Sequence, residues 1–315
     1  MPFAKVVVES PATTANLGPG YDVFGLALEQ PSDKVTLEPI SKGVEIEVAN
    51  HSVATIPTMP KRNTAGVVAN QILKEFSLKT GVLIKIRKNI WPGMGLGSSA
   101  ASATAVAYGM NRMFNLKLNN NQLISLAAKG EALSAGFEHA DNVSAAIYGD
   151  FVIVKSYSPL EIVNLKSPPE MRVCVAFPHI KTPLHKTEKA RLAVSKTVPI
   201  EKLVHNVGQA AAMATGFATG DVELIGKSMS DAVAEPVRER LVPGYALVRK
   251  SALKAGACGI TLSGAGPAMI AIVRQNKADP QEVAEAMKEA FESVGLNATA
   301  FATKPGKSVH LTGTK

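Results

Sequence analysis

Residues Pro92 to Ser102 read P-G-M-G-L-G-S-S-A-A-S, and their three alternating glycines are the strongest chemical signal in the chain. Without side chains at Gly93, Gly95 and Gly97, backbone N–H groups can turn toward an anion, and a helix beginning at Ser98 adds unpaired amides and a partial positive charge. Hydroxyls at Ser98 and Ser99 can cap that helix, or bind a phosphate oxygen and ligate Mg²⁺. Alanines at 100, 101, 103 and 105 fit a helix packed closely beneath the loop. Ser98 stands where a Walker A loop needs lysine, and the third glycine comes one residue early for a dinucleotide fingerprint, so both of those loops are excluded. On spacing alone, a glycine turn that binds nothing stays open beside the anion cradle.

The elements around this loop mix strands and helices without a regular alternation, which predicts an α+β fold rather than a doubly wound sheet. Strands are expected at Lys5–Glu9, Lys34–Glu38, Val44–Val48 and Gly81–Lys88, where apolar and β-branched residues run together or alternate with charges. Helical spacing covers Asn63–Leu78, Ser98–Phe114 and Asn120–Ala135, the last capped by Asn119 or Asn120. Prolines 159, 168 and 169 interrupt the segment after Phe151–Val154, so the 315 residues divide into two units, 1–160 and 161–315. The second unit begins with a strand at Met171–Phe177. Helices follow near 187–194, 200–218, 222–233 and 245–255, then the strand–loop–strand GITLSGAGPAMIAIV, a helix opened by Asp279-Pro280, and a strand at Ala298–Thr303.

The loop PGMGLGSSAA resembles the second motif of the GHMP kinases, a family of small-molecule kinases. SPATTANLGPGYDVFGLAL resembles the first motif, in the form found among members that phosphorylate homoserine, and GITLSGAGPAMIAIV resembles the third. The segments GEALSAGFEHADNVSAAIYG, TEKAR and EPVRERLVPGY agree as well, so the resemblance spans essentially the whole chain. It implies an N-terminal domain like ribosomal protein S5 domain 2, a ferredoxin-like C-terminal domain, and an active site between them. It also implies Mg²⁺ and ATP as the phosphoryl source, L-homoserine as the acceptor, a place in threonine biosynthesis, and a homodimer.

Residue roles follow from that resemblance together with the chemistry of the substrate. Pro92, Gly93, Met94, Gly95, Leu96, Gly97, Ser98, Ser99, Ala100, Ala101 and Ser102 would hold the nucleotide phosphates. Asn63 and Thr64 match the adenine contact, with a plain helix cap as the alternative for Asn63, and Lys88 either touches the nucleotide or is solvated. Ser99 and Glu131 are the expected Mg²⁺ ligands. For the amino acid, Arg191 and Arg238 are carboxylate clamps, because a guanidinium fork matches a carboxylate with two parallel hydrogen bonds. Asn16, Asp22, His139, Asp141 and Asn142 form a polar wall, with Asp22 or Asp141 facing the ammonium and Asn16 near the reacting hydroxyl. Thr187 is placed to bond that hydroxyl, His139 orients rather than acts as base, and Gly264 and Gly266 shape the third-motif loop. Other acceptors within the family, mevalonate or a sugar, fit less well because a neutral sugar has no carboxylate to clamp.

Composition limits the alternatives. Hydrophobic residues make up 46% and charged residues 19%, the profile of an ordinary globular protein. The net charge of +8 is spread as isolated residues and pairs such as Arg87-Lys88, without a basic helix or aromatic-interleaved strand, which argues against nucleic acid. No apolar run approaches the ~20 residues needed to cross a bilayer, and the start lacks a signal-like pattern, so a cytoplasmic protein without membrane attachment is expected. Cys174 and Cys258, with no metal-like spacing, are read as core residues.

Overall fold

The computed structural model describes residues 4–50, 56–136, 138–181 and 186–314. Two long strands open it, β1 (Val6–Asn16) and β2 (Gly20–Ile40), joined by the turn Asn16–Gly20, followed by β3 (Val44–Asn50). Then come α1 (Thr64–Glu75), β4 (Gly81–Lys88), α2 (Ser98–Phe114), α3 (Asn120–Ala135), α4 (Asp141–Tyr148), β5 (Phe151–Tyr157) and β6 (Leu160–Leu165). Strand β2 runs far beyond the expected Lys34–Glu38. Its first half, around Phe24–Leu28, is buried on both faces, so it carries no alternation to betray it.

The first sheet has the order β11-β1-β2-β4-β3, where β11 is His310–Thr314 near the end of the sequence, with β5 on β2 and β6 on β5. Among the described residues only β3 and β4 pair in parallel, and α1 is the crossover between them that a parallel pair requires. The second half of the chain holds β7 (Met171–Pro178), α5 (Lys186–Leu192), α6 (Ile200–Thr219), α7 (Val222–Lys227), the short α8 (Glu235–Arg238) and α9 (Tyr245–Lys254). After these come β8 (Gly259–Leu262), β9 (Met269–Arg274), α10 (Pro280–Glu292), β10 (Ala298–Thr303) and β11 (His310–Thr314). Four of these strands make an antiparallel sheet of order β10-β7-β9-β8.

This is the expected two-sheet α+β architecture, but the expected division at 160/161 does not follow the sheets. Strand β6 pairs with β5, so the first unit continues through Leu165, and β11 returns from the chain's end to pair with β1. The helix expected at 222–233 also stops at Lys227, because Asp231 draws the backbone N–H groups of Val233, Ala234 and Glu235 into a separate turn that starts α8.

Three apolar clusters hold the layers. One lies between the first sheet and α1 to α4, and another between the second sheet and α9 and α10. The third joins the two units: Leu17, Phe24, Leu26 and Phe151 meet Val173, Val175, Phe177, Met213, Phe217 and Ile270. Strand β7 shows how one strand serves two cores. Val173 and Val175 face the shared cluster while Cys174 and Ala176 face the α9/α10 layer, the period of two expected of a strand covered on both sides. The loops that carry the chemical signal lie along this shared seam.

Candidate active site

The loop from Trp91 to Gly97 connects β4 to α2, and its three glycines at 93, 95 and 97 have φ of 77°, 92° and 64°. These left-handed values suit glycine, and at two positions crowding adds a second reason. A Cβ on Gly95 would stand 2.3 Å from the carbonyl oxygen of Ser263, and one on Gly97 would stand 1.9 Å from Thr13 Oγ1. The loop around Ser263, in the third motif, therefore leans against this one by backbone contact.

The carbonyls from Gly93 to Ser98 are engaged on the protein side. Gly93 O accepts from Lys186 Nζ at 2.7 Å, Met94 O from Ala268 N at 3.0 Å, Gly95 O from Ser263 Oγ at 2.7 Å and Leu96 O from Thr13 N at 3.2 Å. Gly97 O accepts from Ala101 N at 2.9 Å and Ser98 O from Lys88 Nζ at 2.7 Å. Among the described residues, the N–H groups from Gly93 to Ala100 have no acceptor set against them. A loop with its carbonyls turned in and its amides unspent, running into a helix N-terminus, is an anion-binding concavity. Side chains of Leu96 and Ala100 are buried in the cores beneath it, so these residues offer a ligand their backbone N–H, whereas Ala101, expected among the phosphate contacts, spends its N–H on Gly97 O and packs beneath the loop.

Neither serine caps α2, contrary to one of the two expectations. Gly97 occupies the cap without a side-chain bond, Ser98 Oγ donates to Ile90 O at 3.2 Å, and Ser99 Oγ donates to Glu131 Oε2 at 2.9 Å. Burial pushes the Glu131 carboxyl up, opposed by the charge of His139 and the Ser99 hydroxyl. A serine hydroxyl and a carboxylate at the helix N-terminus are hard oxygen donors of the kind Mg²⁺ takes alongside phosphate and water.

Lys88 departs from both of its expected roles. It is neither solvated nor free to reach a nucleotide: only 4% exposed, it is ion-paired with buried Asp33 and donates to Ser98 O and to Ser102 Oγ at 3.1 Å. Asp33 Oδ1 also accepts from the N–H groups of Asn89 and Ile90 at 2.9 and 3.0 Å, so the pair anchors both ends of the loop. Asn63 is likewise spent locally, its Oδ1 capping α1 through Ala65 N and its Nδ2 donating to Pro57 O. Thr64 Oγ1 reaches Ser99 O at 3.4 Å.

Beside the loop lies a small pocket lined by Asn16, Asp22, His139, Asp141, Asn142, Thr187, Arg191 and Arg238, with Gly264 and Ala265 of the third-motif loop. The structure thus brings together from distant segments every residue expected to face the amino acid. Asn16 and Asp22 come from the β1–β2 turn, where Asn16, Leu17 and Asp22 all have positive φ (72°, 47° and 59°). Such conformations cost non-glycine residues energy and collect where the surroundings dictate them. Asn16 Oδ1 accepts from Asp22 N and its Nδ2 donates to Gly264 O, both at 3.2 Å, tying the turn to the third motif.

Asp141 opens α4, and Gly25 allows the approach of that helix, since a Cβ there would lie 2.3 Å from Asp141 O. Its carboxylate accepts from Asn142 N at 2.6 Å and from Asn142 Nδ2 at 3.1 Å, and faces His139 Nδ1 at 3.2 Å. Burial pulls the His139 pKa down, but the bond and charge of Asp141, with Glu131 and Asp22, outweigh it and raise it to about 9. His139 is therefore an imidazolium at neutral pH, unsuited to accept a proton and suited to orienting its neighbours. Asn142 Oδ1 accepts from Thr13 Oγ1 at 2.7 Å, linking this wall to the crowded back of Gly97.

The two arginines differ. Arg191 holds Asp22 with two parallel bonds of 2.8 Å, whereas Arg238, 6% exposed, donates to Ala190 O at 3.3 Å and Gly264 O at 3.1 Å and, among the described residues, has no carboxylate in ion-pair reach. Both guanidiniums lie over the ring of Tyr21, at 5.5 and 5.0 Å, a platform that no local spacing marks. Lys186, on the phosphate loop, was missed as well: its position just before Thr187 was the only available hint.

An amide-lined phosphate loop beside a cationic pocket, set between two α+β units, defines the class as a phosphoryl-transfer enzyme for small molecules. Comparison with known proteins agrees. The family described as GHMP kinases N terminal domain matches residues 63–150, and GHMP kinases C terminal matches residues 213–293. A homoserine kinase of Methanococcus maripaludis is 46% identical over 272 residues, 86% of this chain and 88% of its own length. One from Halorubrum lacusprofundi is 40% identical over 302 residues, 96% and 97% of the two chains. The crystal structure of homoserine kinase from Cytophaga hutchinsonii superimposes with a TM-score of 0.89 at 33% identity, covering 98% of this chain and 97% of that one. The chain belongs to the GHMP kinase family.

Proposed function

We propose that this enzyme transfers the γ-phosphoryl group of ATP to the side-chain hydroxyl of L-homoserine, giving O-phospho-L-homoserine for threonine biosynthesis. The observation that carries the reading is the adjacency of two sites of different chemistry: an unspent run of loop amides for phosphates, and a pocket offering a cation and two carboxylates for a zwitterion. Relatives of high coverage named homoserine kinase support the choice of acceptor.

In this reading Gly93 to Ala100 cradle the ATP phosphates through backbone N–H groups, with Thr64 at the nucleotide side and Lys88 and Asn63 acting as supports. Ser99 and Glu131 would hold Mg²⁺, which supplies charge neutralisation at the phosphates. Arg238 takes the homoserine carboxylate together with Arg191, and Asp22, with Asp141 behind it, faces the ammonium. Asn16 and Thr187 orient the hydroxyl, His139 holds Asp141, and Asn142 braces the wall against Thr13. Phosphoryl transfer through a loose transition state depends mainly on such positioning, and no residue is assigned as base.

The reading extends to a cytoplasmic enzyme that does not bind nucleic acid. Among the described residues no helix is long and apolar enough to cross a membrane. A homodimer is included, and the exposed face Ile200, Leu203, Val204 and Val207 of α6 is an apolar surface that could support it. The test is ADP release from Mg·ATP offered L-homoserine, L-serine, mevalonate and galactose. Turnover with homoserine far above the others is expected, and turnover with mevalonate or galactose but none with homoserine would sink the assignment.

A further inference from the structure

Cations gather along the seam, and most are already balanced. Among the described residues Lys88 is paired with Asp33, Arg191 with Asp22, and His139 with Asp141. Two are left without a carboxylate in ion-pair reach, Arg238 and Lys186. Arg238 lines the substrate pocket, where an amino-acid carboxylate would balance it. Lys186 lies elsewhere. Its ammonium donates to Gly93 O at 2.7 Å and to Gly266 O, so it stands where the mouth of the phosphate loop meets the third-motif loop.

The loop has no cation of its own. From Asn89 to Asn111 the chain contains no Lys, Arg or His, and Ser98 stands where a Walker A loop would carry its lysine. Lys186 enters from another segment, as the first residue of α5. Thr187, the next residue, lines the substrate pocket, and Arg191 follows one helical turn later. One short helix therefore presents a cation to the phosphate loop and two polar groups to the acceptor. We propose that Lys186 is a catalytic residue that meets the γ-phosphoryl group of ATP and follows it to the acceptor.

In the transfer, the acceptor hydroxyl oxygen forms a bond to the γ-phosphorus. The bond from that phosphorus to the β–γ bridging oxygen breaks, ADP leaves with the electron pair, and the hydroxyl proton is released to water. In the loose transition state the migrating group is bonded only weakly to either partner, with its charge spread over three oxygens, and a fixed ammonium beside them neutralises that charge and holds the group in line. Burial first, and then the charge of Arg238, pull the Lys186 pKa down to about 7, so the site holds this cation at a cost that an arriving phosphate would relieve. Two carbonyl contacts keep it in place until then.

This inference rests on the loop being the ATP phosphate site, and its test separates the two. Lys186→Gln keeps N–H donors for both carbonyls but removes the charge, and Lys186→Arg keeps the charge. By titration calorimetry, Lys186→Gln is expected to bind ADP within about 3-fold of wild type, to lose about 10-fold or more for a non-hydrolysable ATP analogue, and to lose on the order of 100-fold in kcat. The homoserine KM should stay within about 3-fold, and Lys186→Arg should recover the analogue's affinity. Equal weakening of ADP and analogue would make Lys186 only a tether of the loop, and unchanged affinity with full kcat would remove it from the chemistry. A second arm uses the wild-type protein, so misfolding of a variant cannot block the answer: acetylation of Lys186, followed by mass spectrometry, should be suppressed by the ATP analogue and not by ADP. Equal protection by both, or none, overturns the proposal. If wild type binds nucleotide but does not phosphorylate homoserine, the acceptor assignment fails while both arms still decide Lys186.

Discussion

Arg238 and Arg191 are indistinguishable as residue types, yet one already holds a carboxylate and the other does not. An incoming substrate carboxylate would have to share Arg191 with Asp22, whereas Arg238, among the described residues, is held by two backbone carbonyls and the Tyr21 ring and by no carboxylate. Charge-assisted bonds of this kind contribute about 1.5–3 kcal/mol. Arg238→Ala should therefore raise the homoserine KM by roughly 100-fold and Arg191→Ala by roughly 10-fold, with the ATP KM little changed in both. Steady-state kinetics decides it, and a larger effect at Arg191 or an equal rise for ATP would contradict the ordering. His139 gives a pH signature. Because its folded pKa is raised above the unfolded value, its contribution is full below about pH 6.5 and is lost as pH rises through about 9. Wild type should then exceed His139→Gln by no more than about 3 kcal/mol in urea unfolding near pH 6, and by little above pH 9. An advantage independent of pH would show that the imidazole only packs. Lys186 titrates with the opposite sign between about 7 and its ordinary value, so the comparison must be the difference between the two proteins.

Position is decided one level up, by short elements more than long ones. The four-residue α8 delivers Arg238, and Asp231 shapes the turn before it, accepting from Val233 N at 2.7 Å, Ala234 N at 3.0 Å, Glu235 N at 2.8 Å and Asn206 Nδ2 at 2.8 Å. Removing that carboxylate leaves several donors unmet. Asp231→Ala is expected to lose about 2 kcal/mol of stability and to raise the homoserine KM several-fold while sparing the ATP KM. Thermal unfolding with kinetics on the same sample checks both, and intact stability would show the turn to be held by other contacts. The long helices were the legible ones. α2 and α3 begin and end as their spacing implies, and Asn119 caps α3 in a full capping box with Gln122. α4 was not legible, since Val143 to Ile147 are buried on every side and leave no stripe.

At the scale of the whole molecule, the apolar seam makes the two units interdependent. Phe217 of α6 stacks on Phe151 of β5 with ring centroids 3.8 Å apart and planes 2° from parallel, and Phe24 meets Phe151 edge-on at 5.0 Å. Strand β11 adds a covalent return, because the end of the chain closes the edge of the first sheet. Such a molecule should unfold as one body. Phe217→Ala is expected to cost about 3–5 kcal/mol and to preserve a single calorimetric transition. Two resolved transitions in wild type would mean that the seam is an interface between independent units.

Order and spacing along the chain were enough to find the glycine loop and to exclude two commoner phosphate loops, and the family resemblance carried by three motifs named the residues that line the pocket. These are local properties: a glycine run, an arginine in a recognisable segment, a helix with one apolar face. Which charges neutralise one another was decided only in three dimensions. Asp22 meets Arg191 across 169 positions of sequence and Lys88 meets Asp33 across 55, pairings that no local pattern encodes. Tertiary structure also withdrew Lys88 from the nucleotide by spending its protons beneath the loop, and brought Lys186 to the loop's mouth. Burial and charge depend on what the fold sets beside a residue, and for these two lysines the neighbours come from elsewhere in the chain.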